Sequence, residues 1–243
     1  MNTISGILAS FRRFPIADIM TVLGGERALI LAPHPDDESL GCGGLIAAAC
    51  SAGIAPIVVI LTDGAASHPE SSSFPPVRLR GLREAEVRTA TSLLGLPPEN
   101  LRLLGHADTK LPSVGNEFCQ IVDYLVQLAA MEFCGLIIGP WIGDPHCDHE
   151  AAAYIADAVA KAADLRLMSY PVWGWLRQPT DMVDERRENG WRLNITAHAV
   201  VKKQAIASHR SQHGDLIRDS RNAFQLPENL LMIFEQPFEV FIK

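Results

Sequence analysis

The chain has 243 residues, of which 48% are hydrophobic and 20% are charged, and its formal net charge is −7 at pH 7. This length and composition predict one folded domain with a sizeable core and exclude a disordered chain. The acidic balance argues against a nucleic-acid-binding surface, and no apolar run reaches the length of a membrane span, so we expect no stable membrane anchor.

The first 26 residues are predicted to form an N-terminal helical extension of a single domain that covers residues 27–243. Apolar residues recur there at helical spacing, from Ile4 to Phe11, which is typical of a helix that packs on its own domain or on a neighbouring subunit of a homo-oligomer. The apolar run is too short for a signal peptide. The five cysteines form no CxxC pair, which favours reduced thiols and a cytoplasmic location.

From residue 28 onward, apolar strand patterns alternate with helical patterns. Strands are predicted at residues 28–32, 56–62, 101–104, 135–140 and 165–170, with helices at residues 39–52, 78–94, 114–131 and 151–163. A strand at residues 191–196, a helix at residues 198–211 and a last strand at residues 238–242, expected at a sheet edge, complete the chain. This alternation predicts an α/β fold, in which right-handed crossovers place helices on both faces of a mainly parallel, Rossmann-like sheet.

The first predicted strand ends at a dense group of polar side chains. His34, Asp36 and Asp37 follow it directly, at the carboxyl end of the strand, where open α/β sheets bind their ligands. His34 and Asp37 are three residues apart, so a turn can bring both to one point, and both side-chain types suit zinc. Asp36 would then be available as a base beside the metal.

The same residues also fit an ordinary helix start. Asp36 or Asp37 can cap the helix that follows, and acids in a first turn interact favourably with the helix dipole. Gly41, Gly43 and Gly44 near the start of this helix do not form a GxGxxG dinucleotide motif, so we interpret them as small residues that allow the helix to pack closely on the sheet.

A second group of metal-ligand types follows the fourth predicted strand. It contains His146, Cys147 and His149 together with two aspartates. With two strand ends carrying histidine and acid, His34, Asp37 and His149 could hold zinc and leave one position open for water, as in catalytic zinc sites. Cys147 is a less suitable ligand, because imidazole and carboxylate groups already fill the set.

These two motifs together resemble those of the LmbE/PIG-L family of zinc-dependent N-acetylglucosaminyl deacetylases. The residues that carry the resemblance are Ala-Pro-His-Pro-Asp-Asp-Glu at 32–38 and His-Cys-Asp-His at 146–149, and the similarity continues to about residue 212. The resemblance implies an enzyme that hydrolyses the N-acetyl group of an N-acetylglucosamine-type glycoside, glycolipid or saccharide precursor. It also implies a small-molecule sugar as substrate and Zn²⁺ as cofactor, with another divalent metal such as Fe²⁺ as an alternative.

The resemblance further implies roles for individual residues around the three ligands already named. Asp36 would be the general base, His146 the electrophile or acid, and Asp148 its support. The chain departs from the family at Cys147, where many members have Pro, and at Asp144, where some have Tyr. The second departure leaves the partner of the developing oxyanion open.

Four further residues are candidate substrate contacts: Asp63, Arg83, Asp108 and His209. Asp63 follows the second strand and is either a site residue or a turn acid. Arg83 and Glu86 match an arginine and a glutamate of the family, although they also fit an ordinary surface pair. Asp108 resembles a family acid that contacts the sugar, and the spacing around His209 also resembles the family.

Two segments are expected to shape the cavity around this site. Residues 65–76 are rich in Ser and Pro and predict a loop or lid. The aromatic residues at 170–175 either stack on a sugar face or belong to the core.

Two alternative functions remain. One is a non-catalytic module that binds a metal or a sugar, and the other is a metal hydrolase of another amide, an ester or a phosphoester. Measurements of zinc content and of acetate release separate these alternatives from the deacetylase.

Overall fold

The computed structural model describes residues 2–183, 189–214 and 216–243. The strands are β1 (Asn2–Thr3), β2 (Ile16–Ala17), β3 (Arg27–Ala32), β4 (Ile57–Thr62), β5 (Leu101–His106), β6 (Cys134–Pro140), β7 (Arg166–Tyr170), β8 (Met182–Val183), β9 (Gly190–Asn194) and β10 (Phe238–Ile242). The α-helices are α1 (Ile4–Phe11), α2 (Ile19–Leu23), α3 (Asp37–Ser51), α4 (Pro76–Leu93), α5 (Gly115–Met131), α6 (Cys147–Ala163), α7 (Ala199–Ser208) and α8 (Glu228–Phe234).

The main sheet has the strand order β2-β9-β10-β7-β6-β3-β4-β5, and β1 pairs separately with β8. Strands β7, β6, β3, β4 and β5 form a continuous parallel run. Strand β3 lies inside this run and is buried on both faces: Ala28, Ile30 and Ala32 belong to one core cluster, and Leu29 and Leu31 to another. A parallel strand covered by helices on both sides needs such an uninterrupted apolar run. The predicted fold class is confirmed.

The order of the strands creates a crevice next to β3. The chain runs from β3 to β4 and β5 on one side, and then crosses to place β6 on the opposite side of β3. Doubly wound sheets bind their ligands at such a reversal, outside the carboxyl ends of the strands. Both histidine motifs follow strands that border this point.

Two predicted elements differ from the observed ones in a way that matters. The prediction that residues 238–242 form an edge strand is wrong, because β10 lies between β7 and β9 and is antiparallel to both. The sequence of a short apolar strand does not indicate whether one or two other strands pair with it. Helix α6 begins at Cys147 rather than at residue 151, with His146 as its N-cap, so His149 projects from a helix.

The N-terminal segment packs on the domain itself. The inward side of α1 is buried, and the ring of Phe11 makes an edge contact with Trp141, 5.3 Å between centroids, just beyond β6. Strand β2 pairs with β9 and so belongs to the main sheet. The division into an extension and a domain stays a prediction. Among the described helices, none combines the length and the hydropathy needed to span a bilayer.

Small residues let α3 approach the sheet closely at the end that carries the motif. A Cβ atom at Gly41 would overlap the ring of Tyr170, and one at Gly44 would overlap the side chain of Ile195. The Tyr170 hydroxyl donates to the carbonyl of Leu31, 2.9 Å away. The N-terminus of α3 is thereby held against the ends of β3 and β7.

Candidate metal centre and active site

Three histidines from the two motifs face one another across the crevice. The ring centroids are 4.7 Å apart for His34 and His146, 5.5 Å for His34 and His149, and 5.4 Å for His146 and His149. One ring nitrogen from each lies within 4.8 Å of the others. The two strand ends therefore bring together a set of side chains that could hold a metal ion.

Asp37 lies between two of these rings. Its Oδ2 atom is 3.2 Å from Nδ1 of His34 and 3.2 Å from Nε2 of His149, and it also accepts the backbone N–H of His34 at 3.0 Å. Burial alone would raise the pKa of Asp37, but the charge of His149 and hydrogen bonds from both histidines lower it overall. The carboxylate is thus kept ionised inside the protein.

Asp144 holds His149 from behind. Its Oδ2 atom is 3.0 Å from Nδ1 of His149, and its carboxylate accepts the backbone N–H groups of Val172, Trp173 and Gly174 at 2.9, 3.2 and 2.7 Å. An ionised carboxylate can only accept, so Nδ1 carries a proton, and in the neutral ring Nε2 presents a lone pair. The sequence prediction had noted Asp144 only as a departure from the family.

A similar arrangement orients His34. Its Nε2 atom is 3.0 Å from Oδ2 of Asp148 and 3.3 Å from Oδ1 of Asp108. Asp148 also accepts the backbone N–H groups of Thr109 and Leu111, at 2.7 and 3.0 Å. The ring therefore donates from Nε2, and when the ring is neutral Nδ1 presents its lone pair toward Asp37.

Three acceptors consequently meet at one buried point: the lone pairs of His34 Nδ1 and His149 Nε2 and the Oδ2 atom of Asp37. Nε2 of His149 is buried without a hydrogen bond of acceptable geometry, although Asp37 lies close by. Burial lowers the pKa of His149, yet Asp37 and Asp144 raise it to about 9. The surroundings therefore favour a positive charge here, and a divalent cation fits the donor set.

Asp36 adjoins this point in a strained backbone conformation. Its φ is 151°, which is rare for a residue with a side chain and is found mainly where function requires it. Its backbone N–H donates to Oε2 of Glu38 at 2.9 Å. Burial raises the pKa of its carboxyl group to about 6, and the charge of Arg83 opposes this rise.

Arg83 is buried and binds three groups around Asp36. It donates from Nη2 to the carbonyl of Pro35 at 2.6 Å and to Oδ2 of Asp36 at 3.1 Å, and from Nη1 to the carbonyl of Gly64 at 2.9 Å. Only 3% of its side chain is exposed. Arg83 also lines the cavity beside Asp36, and its contact with substrate stays a prediction.

His146 is half-buried at the cavity wall. Its Nδ1 atom accepts the backbone N–H of Asp148 at 3.2 Å, so in the neutral ring the proton is on Nε2, which can donate but cannot bind a metal. Burial, and then the charges of His34 and His149, lower the pKa of His146. The carboxylate of Asp148 hydrogen-bonds to His34, while the hydrogen bond between Asp148 and His146 is made by the backbone N–H of Asp148.

The remaining predicted substrate residues lie at different depths. Asp108 lines the cavity, and its Oδ2 atom accepts the backbone N–H of Ala66 at 2.9 Å. Asp63 joins two loops, since its Oδ1 atom accepts the backbone N–H groups of Ala65 and Asp108 at 3.0 and 3.2 Å. His209 is fully buried, and its Nε2 atom is 3.0 Å from Oε1 of Glu38.

A cavity of about 250 Å³ opens over this centre. Its floor contains the motif residues, and Trp173 and Phe224 line one wall, where their rings meet edge to face with 5.6 Å between centroids. Trp173 lines the cavity and also packs against the main core cluster, so its contact with a sugar stays a prediction. Gln212 ends the segment whose spacing resembles the family, although no site role was predicted for it, and no sequence pattern indicates Phe224.

Two loops close over the cavity and are joined to each other. Asp219 accepts hydrogen bonds from the Ser71 and Ser72 hydroxyls at 2.7 and 2.9 Å and from the Ser73 N–H at 2.8 Å. The N–H of Phe224 donates to the carbonyl of Ser67 at 2.7 Å. The predicted loop at residues 65–76 is therefore held by a later segment of the chain.

Comparison with known proteins identifies relatives of this arrangement. A probable N-acetyl-alpha-D-glucosaminyl L-malate deacetylase from Bacillus anthracis is 25% identical over 225 residues, which cover 89% of this chain and 95% of that protein. A diacetylchitobiose deacetylase from Thermococcus kodakarensis is 29% identical over 144 residues, but these cover 58% of this chain and only 51% of that protein.

Solved structures share the fold. The N,N'-diacetylchitobiose deacetylase from Pyrococcus horikoshii superposes with a TM-score of 0.63 at 20% identity, over 93% of this chain and 87% of that one. The family model described as PIG-L, GlcNAc-PI de-N-acetylase, matches residues 29–160. This match covers more than half of the chain and includes both histidine motifs, so the resemblance found in the sequence is confirmed: the chain belongs to the PIG-L family.

Proposed function

We propose that this protein is a metal-dependent hydrolase that removes the N-acetyl group from an N-acetylglucosamine-type glycoside, releasing acetate and a free amine. The observation that carries the proposal is the convergence of two imidazole lone pairs and a carboxylate beside Asp36. Membership of the PIG-L family, and the deacetylase names of the relatives, support the choice of an acetamido sugar as substrate.

The metal ligands in this proposal are His34, Asp37 and His149. We favour them over a three-histidine set because Nδ1 of His146 already accepts a backbone N–H. Zn²⁺ suits this mixture of imidazole and carboxylate, and Fe²⁺ is the alternative divalent ion. When bound, such an ion supplies Lewis acidity that polarises a carbonyl and makes a water molecule easier to deprotonate.

Asp36 is the proposed general base. Its carboxylate lies beside the ligands, is buried, and is held by Arg83 at 3.1 Å. Burial raises the pKa of this group, which makes it a better proton acceptor than an exposed carboxylate. Once protonated, Asp36 can return a proton to the departing amine, which would otherwise leave as a very poor anion.

His146 is the proposed donor to the oxyanion that forms on the acetyl carbonyl. Its Nε2–H is directed away from the backbone contact at Nδ1, and its ring lines the cavity. A hydrogen bond that strengthens as charge develops lowers the barrier rather than merely tightening binding. Asp148 acts on His34 in this arrangement, as the orienting partner of a metal ligand.

The four residues predicted to contact substrate take different parts. Asp108 lines the cavity and is the proposed sugar contact. Arg83 acts on Asp36 directly from the cavity wall, His209 acts through Glu38, and Asp63 sets the loop that carries Asp108. Trp173 and Phe224 offer an aromatic wall suited to one face of a sugar ring.

The test combines metal analysis with amine release from a panel of N-acetylglucosaminides. We expect about one zinc per chain and acetate formed in step with free amine. The variant His149→Ala should lose most of the metal. Asp36→Asn should keep it but lose rate by a factor on the order of 100 or more, as expected for a general base.

Specific outcomes would contradict the proposal. Metal binding without turnover of any panel member would favour a binding module, and hydrolysis of an unrelated ester or amide alone would change the substrate class. Near-normal metal content in His149→Ala would refute the ligand assignment. Asp181→Asn, at a surface aspartate that pairs with Arg177, is the matched control for Asp36→Asn.

A further inference from the structure

The side-chain amide of Gln212 is buried at the cavity wall, and its oxygen has no hydrogen-bond partner among the described residues. The residue is fully buried and lines the cavity together with Asp36 and Asp108. Its Nε2 atom donates to Oγ of Ser211 at 2.7 Å. Its Oε1 atom is buried and has no hydrogen-bond partner among the described residues.

The neighbouring groups fix which end of this amide faces away from Ser211. The carboxylate of Glu86 accepts both the backbone N–H of Ser211, at 2.7 Å, and its hydroxyl, at 2.6 Å. The only hydroxyl proton of Ser211 is therefore committed to Glu86, and Oγ can only accept from another neighbour. Gln212 must present its NH₂ group to Oγ, which leaves Oε1 at the end of the amide away from Ser211.

Backbone hydrogen bonds fix the position of Gln212, whose side-chain amide is the group in question. The backbone N–H of Gln212 donates to the carbonyl of His209 at 2.9 Å, and its carbonyl accepts the N–H of Leu226 at 2.9 Å. Gln212 follows α7 directly, in a single turn of 3₁₀-helix. The acceptor atom is thus fixed by a side-chain network on one side and by two backbone contacts on the other.

We propose that Oε1 of Gln212 accepts a hydrogen bond from one hydroxyl of the sugar substrate and so selects a group that donates. The inference rests on the proposed deacetylase function and adds a specificity-determining residue to it. A buried acceptor without a partner is unfavourable, and a ligand hydroxyl at the cavity wall satisfies it. A substituent of similar size that can only accept is rejected, because it faces the Oε1 lone pairs.

The first experiment uses the metal-loaded protein as it is and varies the substrate. Each ring hydroxyl of the preferred N-acetylglucosaminide is replaced in turn by hydrogen and by fluorine, which accepts weakly and cannot donate. At one position we expect kcat/KM to fall by a factor on the order of 10 to 100 with hydrogen, and fluorine should not restore it. Restoration by fluorine, or no sensitive hydroxyl at all, would overturn the inference.

The second experiment changes the protein. In Gln212→Leu, the substrate with the hydroxyl at the sensitive position and its deoxy analogue should have similar kcat/KM values. The effects of removing the other ring hydroxyls should be the same as in the unmodified protein. In Ser211→Ala, the amide can turn, and the ratio of kcat/KM between hydroxyl and fluoro substrates should fall. Gln225→Leu, at an exposed glutamine of the following loop, is the matched control and should behave as the unmodified protein.

The outcomes separate the two levels of inference. If the unmodified protein releases amine but Gln212→Leu retains the full penalty for the deoxy analogue, the role of Gln212 is refuted and the deacetylase function stands. If no N-acetylglucosaminide is deacetylated by metal-loaded protein, both fall together. If Gln212→Leu does not fold, the hydroxyl-to-fluoro ratio of Ser211→Ala decides instead, since an unchanged ratio at every sensitive position would refute the role of Gln212.

Discussion

Replacing Arg83 with methionine would test whether Asp36 depends on its buried partner. The substitution keeps an unbranched side chain of similar reach but removes the guanidinium that contacts Asp36, Pro35 and Gly64 at 3.1, 2.6 and 2.9 Å. The carboxylate of Asp36 and two carbonyl groups then lose their donors in a region with almost no solvent access. Asp36 also loses a contact that helps to keep its backbone at φ 151°.

The expected effects follow from these contacts. Breaking a buried ion pair by removing one partner costs about 3–5 kcal/mol of unfolding free energy, a large part of the ~5–15 kcal/mol that a domain has. A general base contributes roughly 10²–10⁴-fold to the rate, and a displacement of about 1 Å can cost on the order of 10²-fold. We therefore expect kcat/KM in Arg83→Met to fall by about 100-fold or more.

The pH dependence should change in a defined direction. The positive charge of Arg83 lowers the pKa of Asp36, against the rise caused by burial. Without that charge, the pKa of Asp36 rises further, so a higher pH is needed to keep the carboxylate ionised. The acidic limb of the kcat/KM profile should therefore move to higher pH in Arg83→Met.

The assay compares acetate release, zinc content and urea unfolding for Arg83→Met and a control on the same helix. Arg80→Met removes a partly exposed arginine that pairs with Glu84, and it should leave both rate and stability nearly unchanged. Arg83→Met should keep its zinc. Folded Arg83→Met protein with an unmodified rate and an unmoved acidic limb would refute the reasoning.

Three further predictions concern other contacts. Asp144→Asn should weaken zinc binding by roughly 10- to 100-fold in a chelator competition, because it disturbs the acceptor behind His149; unaltered affinity would argue against that role. Glu239→Leu should lower the unfolding free energy by about 3–5 kcal/mol, since Glu239 pairs with buried Lys202 at 2.7 Å, and the double variant with Lys202→Met should regain part of it. His146→Ala should depress kcat more than KM, and a change confined to KM would point to ground-state binding instead.

The sequence was sufficient to predict the parts of this site that depend on local pattern. Apolar runs predicted the central strands, and the rule that parallel strands expose their carboxyl ends together placed His34 beside His149. The glycines after Asp37 were correctly interpreted as packing residues, because a short helix start next to a buried strand leaves little room. These inferences need only a few neighbouring residues and one topological rule.

Contacts between distant parts of the chain were beyond such reasoning. Asp144 accepts hydrogen bonds from three consecutive backbone N–H groups that begin at Val172. The residues next to Asp144 in the sequence do not predict this contact. The carboxylate of Asp148 contacts His34 across the crevice, although the family resemblance implied that it supports His146. The position of β10 between two strands likewise depends on pairing partners that its own residues do not specify.

The strained backbone at Asp36 explains why several buried polar groups cluster behind it. A residue in such a conformation costs on the order of 1–3 kcal/mol and persists only where its surroundings over-determine it. Glu38 supplies one such constraint, since its Oε2 atom accepts the N–H of Asp36 while its Oε1 atom is 3.0 Å from Nε2 of His209. Arg83 supplies another through the carbonyl of Pro35. His209 contacts Glu38 and also interacts electrostatically with Asp36, so we expect His209→Ala to disturb the geometry and the charge of the proposed base, while a contact between His209 and substrate stays a prediction.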